Sequence, residues 1–276
     1  MAIARLAFGF LAIAVLSGLA LAPLLSAGHP LESLETLRGG IPWGWWLRAV
    51  HAWAGWGLLA LTAVHLGDVV LRRAERKLGA GIWWRSVVLL PVTVLALLGG
   101  FLLRGDAEAA AAAAVWREIA GSIPLAGPFL ADLLVGALPG DLGAVALHHA
   151  GTFTLLLWLL TAEHGGRLWP DSRATVLAGL SSVTLAGFLP PGLGASPAVP
   201  SPHLLLGPWY LLGLQGALVS LPAASGWLLP LLLVVALGLI RHADGRARAA
   251  LVAFCGAWLA ADAAFTVRVL LLAHGR

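Results

Sequence analysis

Two histidines in one long apolar stretch constrain the fold of this chain more than any other feature. His51 and His65 lie in the run 44–66, where Arg48 is the only charged residue. Their separation of 14 residues is close to four full turns of an α-helix, so both imidazoles leave the same face. At about 1.5 Å of rise per residue they lie about 21 Å apart along the axis, inside a hydrocarbon core about 30 Å thick.

A second apolar stretch repeats this arrangement. His149 and His164 are 15 residues apart, which misses a common face by about 60° in an α-helix. Two antiparallel helices with histidines at matched depths could therefore hold two cofactors, one above the other. Ionisable side chains inside a membrane are costly and usually functional, and imidazole binds iron, copper or zinc. Axial ligands from opposite helices, with small residues nearby, favour haem. The alternative is four hydrogen-bonded packing histidines in a haem-free transporter or membrane-complex scaffold.

Composition excludes a soluble domain, since 60% of the residues are hydrophobic and 11% are charged. Apolar segments predict an all-α integral membrane protein of about seven transmembrane helices. The predicted spans cover residues 7–26, 45–71, 86–103, 145–163, 174–189, 227–240 and 249–272. The first span could instead be a cleaved signal peptide, because Arg5 precedes it and LLSAG is compatible with cleavage. The single cysteine, Cys255, excludes a disulfide or thiolate metal cluster within the chain.

Basic residues predict the orientation of the chain in the membrane. The isoelectric point near 10.5 does not indicate nucleic-acid binding, because the basic residues are confined to short loops and helix ends. The richer side carries Arg5, Arg72, Arg73, Arg76, Lys77, Arg85, Arg167, Arg173, Arg241, Arg246 and Arg248. We expect this side to be cytoplasmic, which predicts a multi-pass protein of the bacterial inner membrane with a cytoplasmic N-terminus.

Several motifs resemble the cytochrome b subunit of quinol-oxidising bc and bf complexes. They are GWWLRAVHAWAG followed by a histidine, SIPLAGPFLADLLVG, and LHHAGTF followed by EH. The spacing of 14 and then 15 is more similar to the photosynthetic bf-type protein, and HLLLGPWYLLGLQGAL resembles the segment around the family's PEWY motif. The resemblance implies a dihaem four-helix bundle over residues 1–170, formed by the first four helices. It also implies a three-helix region over 171–276 that resembles subunit IV of the bf complex and is fused here.

The resemblance further implies two non-covalent b-type haems, one between His51 and His149 and the other between His65 and His164. His148 lies 16 residues from His164, about 160° out of phase, and is expected to point away. Arg48 stands where the family places an arginine on a haem propionate; its alternative role is interfacial snorkelling. The cysteine that attaches an extra haem in bf complexes has no counterpart near the first helix, so that haem is not expected.

Two departures from the family concern quinone chemistry. Pro208 replaces the PEWY glutamate, and Arg104 with Gly105 replaces a Pro–Trp pair. Because proline has no acid–base chemistry, we expect the quinol-oxidation site on the periplasmic side to be disabled or rebuilt. On the other side a polar cluster could bind quinone or could equally be a solvated loop edge; it comprises Asp68, Glu163, Arg167, Asp171 and Arg173.

The predicted function is that of a dihaem cytochrome b carrying electrons across the membrane between the quinone pool and redox partners. One version is a bc-like complex with a Rieske protein and a c-type cytochrome, in which this chain forms a homodimer surrounded by membrane lipid. The other, favoured by Pro208, is a divergent module that exchanges electrons with periplasmic cytochromes without a full Q cycle.

Overall fold

Helices make up all the regular structure in the described part of the chain. The computed structural model describes residues 2–137, 140–162, 171–199 and 204–274. The helices are α1 (Ala2–Leu21), α2 (Pro30–Gly39), α3 (Gly44–Leu71), α4 (Ala80–Leu102), α5 (Ala107–Gly121), α6 (Gly127–Val135), α7 (Gly143–Leu147), a π-helical turn (His148–Phe153), α8 (Thr154–Ala162), α9 (Ser172–Phe188), α10 (Leu212–Leu218), α11 (Ser225–Ile240) and α12 (Gly245–His274). The expected all-α architecture is confirmed.

Five segments of the described chain are long and apolar enough to cross a membrane. They are Ala2–Leu24, Gly44–Leu71, Ala80–Leu102, Gly143–Thr161 and Gly245–His274. The protein is therefore a multi-pass membrane protein. Helix α11, with 16 residues, is apolar but shorter than a typical span, and α9 has 17 residues. The total of seven spans stays a prediction.

The chain forms two compact units, and the first contains His51, His65 and His149. It comprises Met1–Gly100 and Ala146–Leu193. Within it α1 packs along α3, and α9 packs against both. Its apolar core joins residues of α1, α3, α4, α8 and α9, namely Ala7, Phe10, Leu11, Ala54, Leu58, Val92, Ala96, Leu157 and Ala178. The family-based boundary at residue 170 stays a prediction.

Glycines let the helices of this unit approach closely. A Cβ on Gly9 of α1 would lie 2.7 Å from the carbonyl oxygen of Ala174 in α9. A Cβ on Gly57 of α3 would lie 2.5 Å from the ring of Phe10. Neither contact leaves room for a methyl group, so these glycines set the distances between α1, α3 and α9.

The second unit comprises Phe101–Val145 and Gly194–Arg276. Its helix α10 packs on α12 through two glycines. A Cβ on Gly213 would overlap Asp262 Oδ1, and a Cβ on Gly216 would overlap the carbonyl oxygen of Phe265. Helices α5 and α6 form a second pair in this unit.

Candidate functional site

His51 of α3 and His149 of the π-helical turn face each other in the first unit. Their ring centroids are 5.9 Å apart and their planes are inclined by 82°. The histidine spacing and the family resemblance together predicted this pair, and the structure brings the two rings together.

Backbone carbonyls fix the tautomer of both imidazoles. His51 Nδ1 lies 2.9 Å from the carbonyl oxygen of Ala14, and His149 Nδ1 lies 2.7 Å from that of Ala96. A carbonyl oxygen only accepts hydrogen bonds, so each Nδ1 carries the proton and donates it. Each Nε2 is therefore left with a lone pair, which is the state in which a histidine binds a metal.

Ser17 of α1 adds a contact to His51 that His149 lacks among the described residues. Its Oγ lies 3.1 Å from His51 Nδ1 and 2.6 Å from the carbonyl oxygen of Ile13. The Ser17 side chain is buried. Sequence reasoning missed Ser17, because a single serine in an apolar helix is usually satisfied by its own backbone.

Glycines of neighbouring helices lie close to both imidazole rings. A Cβ on Gly18 would lie 3.0 Å from His51 Cε1, and a Cβ on Gly100 would lie 2.9 Å from His149 Cε1. A Cβ on Gly99 would lie 3.1 Å from the Cβ of His149. Sequence reasoning missed the Gly99–Gly100 pair of α4, although two adjacent glycines inside a helical pattern are a usable signal.

His148 and His149 both lie in the π-helical turn but have different contacts. His148 Nδ1 lies 3.1 Å from Thr152 Oγ1, and its ring lies beside that of Phe153. Thr154 Oγ1 donates to the carbonyl oxygen of His149 at 2.9 Å. Single π-helical turns inside α-helices occur frequently at functional sites.

The second predicted pair is only partly described. His65 lies on α3 and is half-buried, while His164 lies outside the described residues. Thr62, about 20° from His51 on the helical wheel and one turn before His65, is buried, and its Oγ1 has no hydrogen-bond partner within the described chain. An orphaned buried hydroxyl on this face is compatible with a bound group that the polypeptide does not supply.

The described residues of the predicted quinone site make separate local contacts. Asp68 of α3 pairs with Arg72, the residue that directly follows this helix. Asp171 caps α9 by accepting from the Ala174 amide at 3.0 Å, and it lies 3.5 Å from Arg5. Glu163 and Arg167, like His164, lie outside the described residues, so this cluster stays a prediction.

Arg48 contacts the polypeptide after α9. Its Nη2 donates to the carbonyl oxygens of Pro191 and Gly192, the latter at 3.2 Å. This places the guanidinium at the end of the bundle that carries His51, one turn before that residue. Its predicted contact with a propionate stays a prediction.

The segment that resembles PEWY lies in the second unit. Pro208 precedes a 3₁₀ turn over Trp209–Leu211, and Gln215 ties this loop to α10 by accepting from the Gly207 amide at 2.8 Å. Burial raises the pKa of the Tyr210 phenol above its ordinary value, and the positive charge of Arg104 opposes the shift.

Arg104 joins the two carboxylates that follow it. Its Nε donates to Asp106 Oδ2 at 2.7 Å and its Nη2 donates to Glu108 Oε2 at 2.9 Å. Asp106 is fully buried, caps α5 through the Ala109 amide, and accepts from the Gly194 amide at 2.8 Å. Both carboxylates therefore have a structural role at the start of α5.

The chain is similar in sequence to known cytochromes b. The family model for cytochrome b, b6 and petB matches residues 2–163. Cytochrome b6 from Desmonostoc sp. (strain PCC 7906) is 23% identical over 135 residues, covering 49% of this chain and 63% of that protein. The cytochrome b subunit of the cytochrome bc complex from Chlorobaculum thiosulfatiphilum is 30% identical over 132 residues, covering 46% of this chain and 30% of that protein. The chain thus spans less than two thirds of these relatives.

A solved structure described as a hyperthermophilic respiratory Complex III has a similar fold. It aligns with a TM-score of 0.71 and 20% identity, covering 96% of this chain and 83% of the other. Since the family model covers more than half of the chain, the protein belongs to the cytochrome b family. This membership implies a haem b cofactor and confirms the resemblance drawn from the histidine motifs.

The residues around His51 and His149 fit a haem. The two imidazoles face each other with their ring centroids 5.9 Å apart, and imidazole nitrogen is a ligand that suits iron. Both Nε2 atoms carry a lone pair, and glycines replace larger side chains at both rings. His51 and His149 would hold the iron of this haem.

Proposed function

We propose that this protein is a dihaem cytochrome b that carries electrons across the membrane between the quinone pool and redox partners. The observation that carries this proposal is the facing pair of His51 and His149, with both Nδ1–H groups committed to backbone carbonyls. When bound, each haem supplies a one-electron iron couple. Family membership and the Complex III fold support a role as a subunit of a bc-type complex.

The bundle residues perform three tasks in this function. His51 and His149 bind one iron, and His65 with His164 bind the second. The carbonyls of Ala14 and Ala96 hold the first pair of imidazoles in the orientation and tautomer required for ligation. The apolar core of the first unit packs together the helices α1, α3 and α4, which supply the ligand His51 and both carbonyls.

Quinone exchange is assigned to the cytoplasmic side, near Asp68, Glu163, Arg167 and Asp171. The replacement of the PEWY glutamate by Pro208 supports this, as does the commitment of Asp106 and Glu108 to Arg104. Partners of the bc type would be a Rieske protein and a c-type cytochrome, with this chain as a homodimer in the bacterial inner membrane and its N-terminus in the cytoplasm.

A haem count tests the proposal most directly. The protein, purified in detergent, is expected to show the reduced α-band of b-type haem and two haems per chain in a pyridine haemochrome assay. One haem per chain would reject the second site. A chain that binds no haem after expression with sufficient haem supply would instead support the haem-free transporter or scaffold.

A further inference from the structure

The two imidazoles of the facing pair have unequal hydrogen-bonding environments. His149 Nδ1–H donates to the Ala96 carbonyl alone among the described residues. His51 Nδ1 has two neighbours, the Ala14 carbonyl at 2.9 Å and the Ser17 hydroxyl at 3.1 Å. The difference comes from one side chain, because Ser17 is the only polar side chain within hydrogen-bond distance of either Nδ1 in the described part of the chain.

The direction of the Ser17 hydrogen bond follows from its other contacts. The Ala14 carbonyl requires a proton on His51 Nδ1, so this nitrogen is a donor. The Ser17 hydroxyl sends its own proton to the Ile13 carbonyl at 2.6 Å, or to that of Ala14 at 3.1 Å. Ser17 Oγ is therefore a second acceptor for the single Nδ1–H of His51.

We propose that Ser17 is a positioning residue that lowers the reduction potential of the haem held by His51 and His149. This inference rests on the proposed dihaem function. A second acceptor on Nδ1–H makes the imidazole a stronger electron donor to its metal, which stabilises the oxidised iron. Ser17 acts through His51, and its hydroxyl is too well buried for bulk water to replace it.

The chain offers a matched control for the loss of this hydroxyl. Ser182 of α9 is also buried, and its Oγ donates to the carbonyl of Ala178 one turn earlier at 2.8 Å. Ser17→Ala and Ser182→Ala therefore remove the same group from the same kind of helical contact. Ser17→Thr retains the acceptor oxygen.

The test is a spectroelectrochemical redox titration of the intact purified protein, with haem content measured on each sample. The titration is repeated in a His65→Ala background, where the haem of His51 and His149 is expected to be the only one. Ser17→Ala should raise the midpoint potential of this haem and leave the other unchanged. Ser17→Thr and Ser182→Ala should titrate like the unaltered protein.

The outcomes separate this inference from the proposed function. If Ser17→Ala binds two haems with unchanged potentials, or if Ser182→Ala causes the same shift, the role of Ser17 is wrong and the dihaem function stands. If Ser17→Ala instead loses haem, the remaining haem of the Ser17→Ala,His65→Ala double variant is titrated, and a midpoint potential equal to that of His65→Ala alone would also overturn the role of Ser17. Absence of haem from the unaltered protein overturns both.

Discussion

The imidazole planes of His51 and His149 are nearly perpendicular, with their centroids 5.9 Å apart. The Nδ1–H of each ring donates to a backbone carbonyl of a neighbouring helix: His51 to Ala14 of α1, and His149 to Ala96 of α4. Four helical segments thus determine this one relationship. Substitutions that move either ring, or the helix that carries its carbonyl or glycine partner, should reduce haem content more than they reduce the stability of the fold.

Adjacent histidines should differ sharply in their effect. His149→Ala is expected to remove the haem on the His51 side, because it deletes one of the two proposed ligands of its iron. His148→Ala should retain both haems, because the His148 ring contacts Thr152 and Phe153 of its own turn. The pyridine haemochrome assay on both variants measures this. Equal losses would mean that the ligand is not His149 alone.

Gly100→Ala should weaken the same site. The new Cβ would lie 2.9 Å from His149 Cε1, and the Ala96 carbonyl limits how far the ring can move. Overpacking of this kind costs about 1–3 kcal/mol. We expect less haem per chain and a lower melting temperature.

Gly67→Ala is the control for Gly100→Ala, because Gly67 also lies inside a helix but has open space around its Cβ position. Replacing a helical glycine by alanine should stabilise the protein by up to about 1 kcal/mol. The same loss of haem in both variants would argue against a steric role for Gly100.

Asp106→Ala should destabilise the second unit strongly. This buried carboxylate caps α5 and accepts from Arg104 and Gly194, so its removal leaves the guanidinium without one partner. Breaking a buried pair costs about 3–5 kcal/mol.

The control is Asp132→Ala, which breaks an exposed pair with Arg117 and should cost about 0–1 kcal/mol. Thermal unfolding of both variants tests the difference, and equal melting temperatures would contradict it.

Tyr210 should couple stability to alkaline pH. The unfolded phenol has a pKa of about 10, and burial raises the pKa in the folded protein. The neutral Tyr210 phenol therefore makes its full contribution to the free energy of unfolding below about pH 10, and this contribution is lost as the pH rises further. Because Tyr210 is the only tyrosine, phenolate absorbance reports on it directly. The absorbance should appear only above pH 10, and the Tyr210→Phe variant should lack it; ionisation near pH 10 in the folded protein would contradict burial.

Quinol oxidation at the periplasmic side should be impaired. Positioned acid–base groups contribute about 10²- to 10⁴-fold, and Pro208 supplies none. Asp106 and Glu108 are engaged by Arg104, which argues against either as a substitute base. Haem reduction by a quinol analogue should therefore resist inhibitors specific for that site in bc complexes, and Pro208→Glu should increase sensitivity. Strong inhibition of the unaltered protein at normal turnover would show that the pocket works without its glutamate.

The sequence predicted those parts of the site that depend on periodicity. His51 and His149 were identifiable because charge is rare in their helices and because their spacings to His65 and His164 are near whole turns. The all-α membrane fold followed from the apolar segments in the same way. These features depend on local repetition, which a single sequence displays.

The parts that depend on tertiary contacts were not predictable. The partners of the imidazoles are the carbonyls of Ala14 and Ala96, and a backbone oxygen has no residue-specific signature. Ser17 reaches His51 only because α1 packs along α3. The burial of Asp106 was not predictable either, because the Gly194 amide that donates to its carboxylate is 88 residues away in the sequence.

The π-helical turn over His148–Phe153 has a consequence for tolerance to insertions. Such a turn closes its hydrogen bonds one residue later than an α-helical turn, so it stores one additional residue. An interval of 15 residues that includes this turn is then equivalent to 14 residues of uninterrupted α-helix, which is the interval between His51 and His65. Over its described part, the helix that carries His149 therefore has one residue more than an uninterrupted α-helix of the same rise, and we expect that shortening this turn by one residue preserves haem binding.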